Sequence, residues 1–182
     1  MPVDPNRESW KPGMPWEQAL EDMDYVKEIA KELGGEERVK RQHSGGRYTI
    51  RERIDKMLDP GSFLEAGPMV GAAEFDDDGN LTEFTPGAFV MGLGEIEGRS
   101  VAIGGDDFTI SGGSPHNVTK GPRQFTIPLS IQYGIPYIHL VEGVGHSAKK
   151  DEASGHMGLP DGGQWWHFAE LMRNVPVAAG VM

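Results

Sequence analysis

Residues 100–147 read SVAIGGDDFTISGGSPHNVTKGPRQFTIPLSIQYGIPYIHLVEGVGHS, and their order decides the fold. The first eleven are β-branched residues broken by paired glycines, the pattern of a strand, and Ser111-Gly112-Gly113-Ser114 then reads as a turn. GPRQFTIPLSIQYG (121–134) predicts a helix opened by Pro122 and closed by Gly134. YIHLV (137–141) is too short and too β-branched for a helix and reads as a buried strand. Strand, helix and strand make a β-α-β unit, which within one sheet is nearly always right-handed. Its two strands end on the same edge, where Gly112-Gly113 and Gly143-Val144-Gly145 leave backbone N–H groups free to face a ligand. The fold class is α/β, and function is to be sought at that edge.

Working outward, residues 1–15 hold four prolines and little periodicity, so they form an extended arm that orders only against something else, such as a partner subunit. Ala19, Leu20, Met23, Val26, Ile29, Ala30 and Leu33 recur at helical spacing from Trp16 until Gly34-Gly35 ends the run. A second helix occupies Glu36 to His43 and breaks at Ser44-Gly45-Gly46. Thr49 with Glu52 forms a capping box for a third, which runs to Leu58 and the turn Asp59-Pro60-Gly61. The chain then turns β-rich: a strand over Ser62–Ala66, an exposed turn over Asp76–Asn80, and a hairpin of Ala88–Ile96 with Ser100–Ile103 about Glu97-Gly98-Arg99. Lys149 to Gly163 reads as a long loop covering the substrate, and Trp165 and Trp166 lie on a helix ending near Asn174.

Composition bounds the chemistry. With 182 residues and a net charge of −11, the chain repels nucleic acid and anionic membrane as main partners. The absence of cysteine removes disulfides, thiolate zinc sites and a cysteine nucleophile. No signal-peptide pattern opens the chain and no apolar run reaches the ~18 residues of a membrane span, so a soluble cytoplasmic protein is expected. The glycines at 92, 94 and 98 precede a hairpin rather than a helix, which argues against a dinucleotide fingerprint. The acidic turn at 76–80 lacks the glutamate that closes a calcium loop, and His139 and His146 lack a third convergent ligand, so no metal is expected.

Three features remain. Residues 38–56 carry Arg38, Lys40, Arg41, Arg47, Arg51, Arg53 and Lys56, seven of the 17 cationic side chains in an acidic protein. Such clustering suits an anionic ligand held by guanidinium forks, or else arginines paired with neighbouring acids within the chain. The Gly112-Gly113 turn permits close backbone approach to a substrate, or is an ordinary tight turn. Gly143, Val144, Gly145 and His146 follow the apolar strand, and their N–H groups could converge on an enolate or thioester oxyanion, or form a plain loop exit.

RERIDKMLDPGSFLEAG (51–67) resembles, almost position for position, a segment of carboxyltransferase β subunits of biotin-dependent acyl-CoA carboxylases of the propionyl-CoA and methylcrotonyl-CoA type. DDFTISGGSPHNVTK (106–120), QYGIPYIHLVEGVG (132–145) and NVPVAAGVM (174–182) resemble later segments in the same order, so the likeness covers roughly residues 17–182. It implies a crotonase-like (ClpP/crotonase) β-β-α spiral, the N-terminal carboxyltransferase half preceded by N-terminal helices, with residues 16–182 as an acyl-CoA carboxyltransferase domain incomplete at its C-terminus.

The implied function is carboxyl transfer from carboxybiotin to the α-carbon of an acyl-CoA. Backbone donors in Gly143, Val144, Gly145 and His146 would hold the thioester enolate. Arg38, Lys40, Arg41, Arg47 and Arg51 would take the CoA phosphates, with Gly112 and Gly113 beside the pantetheine or cofactor. Biotin would arrive on a separate carrier protein. The implied partners are a biotin carboxylase, a biotin carrier protein and a complementing C-terminal half within a homo- or hetero-oligomer. Decarboxylation of a malonyl-type thioester, or a non-catalytic CoA-binding scaffold, are the alternatives. Where the family reads Asp-Ser-Gly-Gly-Ala-Arg, this chain reads Glu142-Gly143-Val144-Gly145-His146-Ser147, which places a bulky Val144 and an imidazole in the pocket wall.

Overall fold

The computed structural model describes residues 3–4, 6–114, 120–143 and 162–182, and of residues 120–124 and 162–165 it describes the backbone alone. Three helices come first: α1 (Trp16–Lys31), α2 (Glu36–Ser44) and α3 (Ile50–Met57). The capping box that opens α3 is formed as the sequence predicts, with Thr49 Oγ1 accepting from the Glu52 N–H and the Glu52 carboxylate accepting from the Thr49 N–H at 2.7 Å. The strands are β1 (Leu64–Glu65), β2 (Gly71–Phe75), β3 (Leu81–Pro86), β4 (Phe89–Ile96) and β5 (Arg99–Asp106). Helix α4 (Lys120–Tyr133), strand β6 (Tyr137–Val141), helix α5 (Gly162–Asn174) and strand β7 (Val177–Val181) complete the order.

The main sheet runs β1-β4-β5-β6-β7. Strands β1, β4 and β5 are antiparallel neighbours, whereas β5, β6 and β7 are parallel, Gly105 lying opposite Leu140 and Leu140 opposite Gly180. The β5-α4-β6 unit expected from residues 100–141 is therefore present. Period-two alternation sorts its side chains between two layers. Val101, Ile103 and Leu140 pack with Leu33, Ile50, Ile54 and Leu58 on one face. Ala102 and Tyr137 pack with Ile127, Leu171 and Val175 on the other, under α4 and α5. Burial of this kind stabilises by roughly 1.5–3 kcal/mol per large side chain, which is what holds the short α2 and α3 against the sheet.

Several bounds differ from the sequence reading. Pro122 lies in the first turn of α4, but Pro128 lies within it, where a missing N–H costs one ladder bond that the buried Ile127 offsets by packing. The strand expected over Ser62–Ala66 shortens to β1. The turn Asp76–Asn80 joins β2 and β3 into a separate hairpin, with the Asp76 carboxylate accepting from the N–H groups of Asp78 and Asn80. The described part of the N-terminal arm packs on its own chain: Val3 is buried against Ile29, Ala30 and Phe84, Arg7 pairs with Asp22 and stacks on the Tyr25 ring, and Trp10 stacks on Trp16. Among the described residues no helix is long and apolar enough to cross a membrane.

Candidate functional site

The parallel strands β5 and β6 end side by side, at Asp106 and Val141. The next residue, Glu142, donates its backbone N–H to the Asp106 carboxylate at 3.2 Å. Beyond β5, Ser111–Gly113 make one turn of 3-10 helix with Ser111 at φ +51° and Gly113 at φ +70°. Gly113 has no room for a side chain, since a Cβ there would stand 2.3 Å from the Glu142 carbonyl oxygen. Gly113 thus serves a close approach between the two strand ends, which a tight turn alone would not require.

Against this junction stands the cationic face of α2 and the loop after it. Arg38, Arg41, Gln42 and Arg47 line a cleft of about 300 Å³ with Phe108, Thr109, Ser111 and Gly112. Arg38 donates to the Thr109 carbonyl at 3.4 Å, and the Arg47 guanidinium lies 4.8 Å from the Phe108 ring centroid. Arg41 is exposed and forms no ion pair among the described residues. Thr109 is held from beneath: its hydroxyl donates to Asp107 at 2.6 Å and accepts the Gly34 N–H at 2.8 Å. Burial pushes the Asp107 carboxyl above the usual range, opposed by its bonds from Thr109 and by the field of Arg51.

The seven clustered cations separate in space. Arg38, Arg41 and Arg47 share the cleft, as does Gly112. Lys40 pairs with Glu36 on the exposed side of α2. Arg51 reaches the opposite way, making a two-pronged pair with Glu65 at 2.8 Å on each arm, and does not line the cleft. Arg53 turns inward to the carboxylate of Glu142. Pairing with acids within the chain is thus seen for Lys40, Arg51 and Arg53, and for Arg47, which lines the cleft and also meets Glu142. Of the four positions expected to supply oxyanion donors, Gly143 is described; Val144, Gly145 and His146 lie outside the described residues, as does most of the loop 149–163. The Gly143 N–H donates to none of the described residues, and a Cβ on Gly143 would meet nothing closer than 3.6 Å.

Glu142 is the residue that sequence reasoning passed over. It is 4% exposed and accepts from Gln42 Nε2 at 3.1 Å on each oxygen, from Arg47 at 3.2 Å and from Arg53. The available signal was an ionisable side chain directly after a buried strand, with a surplus of arginines upstream. A buried carboxylate demands such partners. Among the described residues no group of acids and histidines is arranged to hold a metal ion.

Residues 41–172 match the carboxyl transferase domain family. The propionyl-CoA carboxylase carboxyltransferase subunit of Haloferax mediterranei is 30% identical over 169 residues, which are 93% of this chain and 31% of that protein. The biotin-dependent 3-methylcrotonyl-coenzyme A carboxylase beta1 subunit of Mycobacterium tuberculosis is 35% identical over 116 residues, 62% of this chain and 21% of its own. Among solved structures, the transcarboxylase 12S hexamer core with methylmalonyl-coenzyme A bound superposes with a TM-score of 0.73 at 27% identity, over 93% of this chain and 32% of that one. The chain thus spans about a third or less of the length of these relatives. The expected crotonase-like α/β fold is the fold observed, and by family match and architecture together this chain belongs to the carboxyl transferase domain family of the biotin-dependent acyl-CoA carboxylases.

Proposed function

We propose that the chain binds an acyl-CoA and stabilises its enolate while a carboxyl group is transferred to the α-carbon from carboxybiotin. The observation that carries this reading is the gathering of Arg38, Arg41 and Arg47 around one cleft at the mouth of the two strand ends. Three guanidiniums fit the CoA phosphates, because a planar fork of N–H donors matches phosphate oxygens two at a time. Arg41, which has no ion pair among the described residues, brings its charge without first breaking one. From there the pantetheine arm would pass Gly112, which lines the cleft, to place the thioester at Gly143; the close approach that Gly113 allows is taken up by the Glu142 carbonyl. An enolate forms when the α-proton leaves and charge collects on the thioester oxygen, so an N–H aimed at that oxygen lowers the barrier more than it tightens binding.

Carboxybiotin, carried by a separate protein, would supply the carboxyl group and, on its ring nitrogen, an acceptor for the α-proton. No side-chain base on this chain is then needed. A complementing C-terminal half to receive carboxybiotin, a biotin carboxylase, a biotin carrier, an oligomeric assembly and a cytoplasmic setting all belong to this proposal. The names of the relatives support it: carboxylase subunits acting on propionyl-CoA and 3-methylcrotonyl-CoA, and a transcarboxylase holding methylmalonyl-CoA.

Calorimetric titration with CoA tests the binding step. Arg41→Ala is expected to weaken CoA at least tenfold, in line with the ~1.5–3 kcal/mol of a charge-assisted bond. Unchanged affinity would remove the cleft as the phosphate site. Carboxyl exchange between malonyl-CoA or methylmalonyl-CoA and free biotin, assayed in the complete assembly, tests the chemistry.

A further inference from the structure

The buried Glu142 carboxylate has more to do than neutralise a charge. It faces two guanidiniums, Arg47 and Arg53, and the amide of Gln42, while the nearby acids Asp106 and Asp107 meet its backbone and its field. The two arginines are not equivalent. The Arg53 side chain is 9% exposed and is the inner counter-charge, whereas that of Arg47 is 45% exposed and lines the cleft. Arg47 is held at two points, by one Nη to Glu142 Oε1 and by the Phe108 ring below its guanidinium. A guanidinium carries five N–H donors, so this mooring leaves most of them for a ligand. It also removes rotamer freedom that an unmoored arginine would lose only on binding.

We infer that Glu142 is a positioning residue: its carboxylate, anchored by Gln42 and Arg53, moors Arg47 in the cleft so that the guanidinium is already aimed at the phosphates of the bound ligand. The inference rests on the reading of the cleft as the acyl-CoA phosphate site. It differs from a plain electrostatic view, because a carboxylate beside a phosphate site repels the ligand. A bystander Glu142 would weaken CoA binding, and its removal would tighten it. A positioning Glu142 would do the reverse.

The experiment is a set of titrations of the full chain with CoA, with 3′,5′-ADP as the phosphate-bearing half and with an acyl-pantetheine as the half that lacks the nucleotide. Glu142→Gln keeps the shape and removes the charge; Glu142→Asp keeps the charge and withdraws it by one methylene. Both are expected to weaken CoA and 3′,5′-ADP about five- to tenfold while leaving acyl-pantetheine within twofold. In an Arg47→Ala background Glu142→Asp is expected to change neither nucleotide further. Tighter or unaltered nucleotide binding in Glu142→Asp overturns the inference, as does an equal loss for acyl-pantetheine, which marks general damage to the fold. Should Glu142→Gln fail to fold for want of a counter-charge to Arg53, the aspartate variant decides alone. Arg41→Ala separates this result from the underlying reading: if it leaves CoA affinity intact, the cleft is not the phosphate site; if it weakens CoA while Glu142→Asp does not, the cleft stands and the mooring falls.

Discussion

Asp107 and Glu142 are both buried near the ends of the parallel strands, with different partners. Glu142 is ringed by cations and an amide. Asp107 is as deeply buried, and two of its bonds come from the neutral Thr109, so desolvation dominates and its carboxyl is pushed up. A group whose pKa is raised by folding binds more protons in the native state than in the unfolded one. Stability therefore falls as pH rises from the ordinary carboxylate value through the elevated one. Asp107→Asn retains an oxygen to accept both Thr109 donors and removes the buried charge. It is expected to leave stability at pH 7 unchanged or higher and to flatten its pH dependence, as urea unfolding at pH 4 and pH 7 would show. A loss at pH 7 would mean that attraction to Arg51 outweighs the burial cost.

Among the elements, α3 shows how an eight-residue helix persists. Alone it is too short to be stable in water. Ile50 and Ile54 anchor it to the sheet, and the Thr49–Glu52 box satisfies its first N–H groups. Glu52 also ties α3 to its neighbour. His43, at the end of α2, lies 2.9 Å from the Glu52 carboxylate and, with the Thr49 bonds, draws its pKa from 4.5 to about 2. A pKa depressed by folding contributes stability that is complete above pH 4.5 and is lost as pH falls toward about 2. His43→Ala is expected to shrink this acid-side loss, read as a smaller drop in urea midpoint between pH 5 and pH 3. Because both side chains are more than a third exposed, the effect is small and salt-sensitive.

For the whole molecule, a net charge of −11 repels an anionic ligand at long range, and the cleft attracts it at short range. Salt screens the two differently: beyond ~8–10 Å charges hardly act at 0.1 M ionic strength, whereas contacts within the cleft persist. CoA affinity is accordingly expected to fall only modestly, by about two- to fivefold, between 0.05 and 0.5 M salt. A fall of two orders of magnitude would indicate diffuse surface attraction in place of a built cleft. The same segregation of charge explains how an acidic chain accommodates seven clustered cations: away from the cleft, Lys40, Arg51 and Arg53 are matched by Glu36, Glu65 and Glu142, and Lys56 lies over the Tyr48 ring.

Local chemistry alone determined the β-α-β unit, the three leading helices and the capping box, because hydrophobic period, glycine stops and turn residues act between near neighbours in the chain. It marked both glycine-bearing strand ends as a place to look. Only the tertiary structure decided that Gly113 must be glycine to clear the Glu142 carbonyl, that Arg51 turns to Glu65, and that Arg47 and Arg53 meet at Glu142. Those outcomes depend on partners 14, 95 and 89 residues apart in the chain. Side-chain charge has no periodicity to announce its partner, so pairing at such distances is settled only when the sheet brings the elements together.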